Sequence, residues 1–157
     1  MNHELGSSNG VTRAHGGTGA FVSKWVINKS DLKVVSGEDL IRNVYDPNGT
    51  PLPGVSFNRF CSADLANPTA FYDPATGLGP SARIFMSGEE GGSRGWAVAH
   101  VVTGSGAGNT HVLGKFQLAG STGAWENLVA NPTTGDKNVV AGTNDGGTNV
   151  MQNRVAV

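Results

Sequence analysis

The sequence predicts an all-β fold, and three observations carry the prediction. Apolar residues fall in short runs rich in β-branched and aromatic side chains rather than in long helical stripes. Turn formers built on Pro and Gly separate those runs. Glycine is also abundant, 24 of 157 residues, about twice the usual ~7%. Gly and Pro together stay below the ~25–30% of low-complexity chains. At 157 residues the chain reads as a single β-rich domain over residues 1–157. Eleven Lys and Arg against twelve Asp and Glu leave a net charge of −1, which excludes the basic stripe of a dedicated nucleic-acid binder. With 15% charged residues, a disordered polyelectrolyte is excluded too. No window reaches the ~18 apolar residues of a membrane span, and one cysteine cannot build an intrachain disulfide framework. No signal-peptide pattern opens the chain.

The elements follow in order. Residues 20–27 are the clearest strand, and 33–35 pair with it across the polar turn 28–31. Residues 36–44 carry the best helical pattern, with Ser36 as cap and Glu38 and Asp39 at the positive end of the dipole, weakened by Gly37. Further strands are expected at 83–87, 96–102, 125–130 and 138–141, and the terminal run 154–157 begins another. Turns are expected at 46–49, 73–77 and 131–135, where Pro presets φ and Gly accepts a positive φ.

Two segments repeat one pattern: turn, basic residue, apolar strand, Gly, acidic residue, Gly-Gly. One runs from Asp73 to Gly92, the other from Asn131 to Gly147. The two segments begin 58 residues apart, close to the ~50-residue period of β-propeller blades. The fold expected is therefore a partial propeller of about two to three blades of antiparallel strands. A full propeller has ~4–8 blades, so the chain reads as a segment of a larger propeller, completed by further blades or by other copies.

Chemistry concentrates in carboxylates beside glycine. Glu89 and Glu90 directly follow a strand, where adjacent like charges are costly unless solvated, turned to opposite faces or neutralised by a cation. Glu126 interrupts an apolar strand and wants a partner. Asp145, in a Gly-rich loop, and Glu4, after an amide and an imidazole, offer oxygens to a hard cation such as Ca²⁺. Cys61 offers a thiolate suited to iron or zinc. Each has a plainer reading: a solvated turn for Glu89 and Glu90, an Arg partner for Glu126, a tight turn for Asp145, a small core residue for Cys61. His100 reads as a core histidine, His3 and His15 as loop residues, and His111 has no evident partner. A rival motif, Gly91 to Gly95, matches the nucleophile elbow of a serine esterase with Ser93 as nucleophile. No helix pattern follows it, and no His follows the later acids.

Five segments stand in an order that resembles the PhoX-type alkaline phosphatases and their secreted relatives: Asn2-His3-Glu4, Arg59 to Ser62, Arg83 to Glu90, Leu113 to Phe116 and Trp125 to Asn127. The resemblance implies a β-propeller with iron and calcium on its axis that hydrolyses phosphate monoesters, in a secreted or periplasmic protein. It would make Glu4, Cys61, Glu89, Glu90, Glu126 and Asp145 metal ligands. Apart from the resemblance, Arg94 in its glycine-rich loop is a candidate phosphate contact, since a guanidinium meets phosphate with two hydrogen bonds, beside the plainer reading of a solvated loop arginine. Two departures are visible: Gly88 stands where the family has the Cys of Cys-Glu-Glu, and Trp125 where it has the His of His-Glu. The function expected is a metal-dependent phosphomonoesterase domain or fragment acting on a small phosphorylated substrate. The alternatives are a non-catalytic, calcium-stabilised binding or assembly module and, third, a serine esterase.

Overall fold

The structure is a computed structural model. It describes residues 1–91, 95–116, 123–133, 135 and 137–145, together with the backbone of 154–156. These residues form an all-β protein with two single-turn 3₁₀ segments, Pro68–Ala70 and Gly114–Phe116, and no α-helix among them. No helix is long and apolar enough to cross a membrane.

Three antiparallel meanders follow one another. The first comprises β1 (Asn2–His3), β2 (Phe21–Ile27) and β3 (Val34–Asp39) in that spatial order. The second runs through β5 (Phe60–Leu65), β6 (Ile84–Glu89), β7 (Ala97–Val101) and β8 (Asn109–Val112). The short β4 (Asn43–Tyr45) joins its outer edge, parallel to β8. The third contains β9 (Trp125–Ala130), β10 (Val140–Asn144) and β11 (Arg154–Ala156). The first strand of each meander lies at a sheet edge. These three edges adjoin, with β1 against β5 and β5 against β9.

The central sheet is covered on both faces. Strand alternation sends Ala97 to one side and Val98 to the other. One apolar layer joins Ile84, Met86 and Ala97 to Trp125, Leu128 and Val140 of the third sheet. The other joins Val98 and Val112 to Val22, Phe57 and Phe60 on the side of the first sheet. The Phe116 and Trp125 rings meet edge to face, 5.3 Å apart. That geometry suits the ring quadrupoles.

The helix expected over 36–44 does not form. Residues 34–39 extend as β3, and Gly37 lies opposite Trp25. A Cβ on Gly37 would come within 2.6 Å of the Trp25 ring, so the glycine that weakens a helix is what lets the indole lie across the strand. The expected turns at 46–49 and 73–77 form, with positive φ at Gly49 and Gly77, and Gly135 also has positive φ, although Thr134 of the third expected turn lies outside the described residues. In the first, Asp46 Oδ1 accepts from the Asn48 and Thr50 backbone N–H groups. The two repeated segments supply β6 and β10, each flanked on both sides within its own sheet. Both end beside β9: Gly88 lies against Trp125, and the Asp145 N–H donates to the Ala124 carbonyl.

Candidate metal centre

Register explains how three separate segments reach one point. Phe60 pairs with Glu89 and Ala63 with Ser87, so Cys61 and Ser62 together oppose Gly88. Two residues facing one is a β-bulge, which bends its strand and re-aims a side chain. Across the layer, Gly88 sits so close to β9 that an added Cβ would fall 2.1 Å from the Trp125 carbonyl oxygen. This approach brings Glu126 of β9 to the Cys61 bulge. Ligand atoms of Cys61, Glu90 and Glu126 all lie within 4.8 Å of one another, a group able to hold a metal ion. The Cys61 thiol donates to Glu126 Oε1 at 3.1 Å.

Glu89 and Glu90 part company because successive strand residues face opposite ways. Glu90 is half-buried on the Cys61 side. Glu89 is 4% exposed on the other. There its carboxylate accepts the Asn58 N–H at 2.6 Å and the Trp96 N–H at 3.0 Å. Burial dominates those two bonds and pushes its pKa up to about 7. Glu89 thus clamps backbone and stands outside the Cys61 group.

Arg59 organises the rim. Its guanidinium bonds Glu4 Oε1 and Glu90 Oε2, each at 3.1 Å. Its backbone is left-handed, φ 50°, a conformation disfavoured for a residue with a Cβ. The Arg59 N–H donates to the Leu5 carbonyl, and the Arg59 carbonyl accepts from the Glu90 N–H. These bonds tie β1's continuation and β6's end to one residue. An Arg59→Gly variant should therefore melt higher than Arg59→Ala, since both lose the ion pairs and only glycine tolerates the positive φ. An alanine variant at least as stable would contradict this.

Cys61, Glu90 and Glu126 converge, and Glu4 adjoins them through Arg59. Asp145 is exposed at the end of β10, and its carboxylate is not part of the Cys61 group. Arg94 and Ser93 lie outside the described residues. His111, without an evident partner in the sequence, stacks on Tyr45 at 5.2 Å. Arg59 opens one of the five ordered segments but carries no sign there of its role at the rim. It stands two positions before Cys61, but its φ leaves no mark in the sequence.

The electrostatics hold the Cys61 thiol in its neutral form. The carboxylates of Glu4, Glu90 and Glu126 act on the thiol, and the Arg59 guanidinium pairs with the first two. Burial, then the Glu126 hydrogen bond and the charges of Glu126, Glu90 and Glu4, push the Cys61 pKa up to about 12. A thiolate forms here only against added positive charge, which a bound metal supplies. One sulfur with carboxylate oxygens suits iron or zinc, whereas an all-oxygen set would suit calcium. The donor set therefore suits iron or zinc at the thiol and leaves calcium to the carboxylates alone. No protein-family model, curated protein or solved structure matches this chain.

Proposed function

We propose that this chain is a three-blade segment of a β-propeller that carries a metal-dependent phosphomonoesterase centre of the PhoX type. One observation carries the reading: the Cys61, Glu90 and Glu126 ligand atoms lie within 4.8 Å of one another although they come from distant segments. The meander layout supports it. In a propeller the first strand of each blade lines the axis, and here the first strands of three successive meanders adjoin. Glu4 follows the first of them, Cys61 lies on the second and Glu126 on the third.

On this reading Cys61 supplies a thiolate, and Glu90 and Glu126 supply oxygens to the same cation. Glu4 holds Arg59 at the rim of the centre. A metal bound there supplies a positive charge that neutralises the phosphoryl oxygens as negative charge builds on them. The chain's own contribution is placement. The Cys61 bulge and the Gly88 contact hold three ligands from three strands, and Arg59 keeps Glu90 from repelling Glu4.

Hydrolysis of p-nitrophenyl phosphate by the full chain, supplied with Fe³⁺ and Ca²⁺, tests the reading. Activity is expected to disappear on chelation, to return on reloading, and to fall at least ~100-fold in Cys61→Ala, a loss of about 3 kcal/mol in transition-state stabilisation. Hydrolysis that survives complete chelation would contradict it. Calcium retained without iron and without hydrolysis would instead point to a binding module.

A further inference from the structure

Inside the apolar layer between the first and central sheets, four polar side chains form one hydrogen-bonded chain that ends on the Cys61 bulge. Asn2 Nδ2 lies 3.2 Å from the Cys61 carbonyl oxygen and 3.2 Å from that of Ser62. Carbonyls only accept, so the amide nitrogen must face them. Asn2 Oδ1 is then turned to Ser87, whose hydroxyl donates to it at 2.9 Å. With its proton so committed, Ser87 Oγ accepts from His100 Nε2–H at 3.1 Å. His100 Nδ1 is left bare and accepts from the Thr110 hydroxyl at 2.8 Å. The proton order is therefore fixed from Thr110 to the bulge.

Ser87, His100 and Thr110 are all 0% exposed. Burial pushes the His100 pKa down to about 3 and keeps the ring neutral. A satisfied polar chain in such a layer specifies orientation, because any flipped member would leave buried partners unmet. What it orients is the register-shifted stretch of β5, whose Cys61 and Ser62 carbonyls both accept from Asn2.

We propose that Asn2, Ser87 and His100 are positioning residues that pin the Cys61–Ser62 bulge and thereby aim the Cys61 thiol at Glu90 and Glu126. The proposal rests on the metal-centre reading above and names the residues that hold its sulfur ligand in place. Second-layer hydrogen bonds of this kind change metal affinity ~10–100-fold when removed.

Titration of the full chain with Cd²⁺ tests it, because the ultraviolet charge-transfer band of a cadmium thiolate reports the Cys61 bond itself. Asn2→Leu, which keeps the volume and loses the donors, is expected to weaken Cd²⁺ at least ~10-fold and to diminish the thiolate band per ion bound. His100→Leu should weaken it severalfold. His100→Gln, which keeps a donor toward Ser87, should remain near wild type. Leu40→Ala, a core truncation outside the chain of polar groups, calibrates lost stability and should leave the band unchanged. Wild-type binding by Asn2→Leu, or an equal loss in Leu40→Ala, would overturn the proposal. If the wild-type protein itself gives no thiolate band, the metal-centre reading fails instead. Positioning is then read from the rate of Cys61 alkylation by iodoacetamide at one fixed pH. A severalfold change in Asn2→Leu with none in Leu40→Ala supports the proposal, and equal rates overturn it.

Discussion

Replacing Gly88 with alanine is expected to lower the melting temperature by roughly 6–12 °C, the equivalent of about 3 kcal/mol in a domain of this size. The added Cβ would meet the Trp125 carbonyl oxygen at 2.1 Å and the Trp125 Cβ at 2.7 Å. These atoms belong to a strand rather than to the end of a flexible side chain, so β6 and β9 must separate. The damage extends past stability. Gly88 lies two residues before Glu90, and Trp125 one before Glu126, so the separation pulls one ligand from the other. Metal affinity should therefore fall together with the melting temperature. Thermal unfolding and metal titration of Gly88→Ala check both, and a variant as stable as wild type would show that the two strands do not approach so closely. The same contact bears on the family resemblance. A cysteine at position 88 would carry the Cβ that β9 excludes, and the only sulfur in the group is that of Cys61, on the adjacent strand.

The second large effect is expected at Glu89. Both of its oxygens face backbone donors, from Asn58 and Trp96. At pH 5 the buried group is the neutral acid, whose two oxygens can still both accept, whereas glutamine offers one acceptor and turns an NH₂ group toward the other N–H, so Glu89→Gln should cost about 2–4 kcal/mol there. The pH dependence has a definite sign. The folded-state pKa is raised to about 7 from an ordinary value of 4.5. Between those values the folded protein keeps a proton that the unfolded chain has released. Glu89 therefore contributes less stability as pH rises through this window and a constant amount above it. The variant lacks the titrating group, so the gap between it and wild type should narrow by about 2–3 kcal/mol from pH 5 to pH 8. Chemical denaturation at several pH values measures this. A gap that widens toward pH 8 would mean that the two backbone bonds outweigh burial.

The strands legible in the sequence are those whose side chains announce a half-buried pleat. β2, β6, β7 and β9 carry Phe, Trp, Val, Ile and Met, and they form near the expected positions. β3 was hidden because Ser36, Glu38 and Asp39 imitate a helix start, and only the Trp25 ring across the strand explains why Gly37 suits a sheet. β5 was invisible for a related reason. Its bulge and half-buried polar residues leave Cys61, Ser62, Ala63 and Asp64 with no apolar alternation to read. β8 is a short run of Asn109, Thr110, His111 and Val112, whose buried Thr110 is paired with His100 rather than with an apolar core.

The candidate centre was legible in part. Alternation along a strand already allows adjacent Glu89 and Glu90 to face opposite sides, and they do. That Cys61, Glu90 and Glu126 meet could not come from spacing, because long-range contact between sheets leaves no period in the chain. The resemblance supplied their order, and the Cys61 bulge with the Gly88 contact supplies their proximity. Glu4 reaches the group through Arg59, an ion pair that no local pattern announces. Asp145 shares its repeat position with the acids after β6, but it is exposed beside Ala124, and its carboxylate lies outside the group.

The most direct measurement is the metal content of the full chain, stripped, dialysed against iron and analysed by elemental composition beside Cys61→Ala and Glu126→Gln. The account predicts iron retained by the wild-type protein and largely lost from both variants, with their folds intact by circular dichroism. Iron retained equally by all three proteins, or by none of them, would contradict a shared cation among Cys61, Glu90 and Glu126.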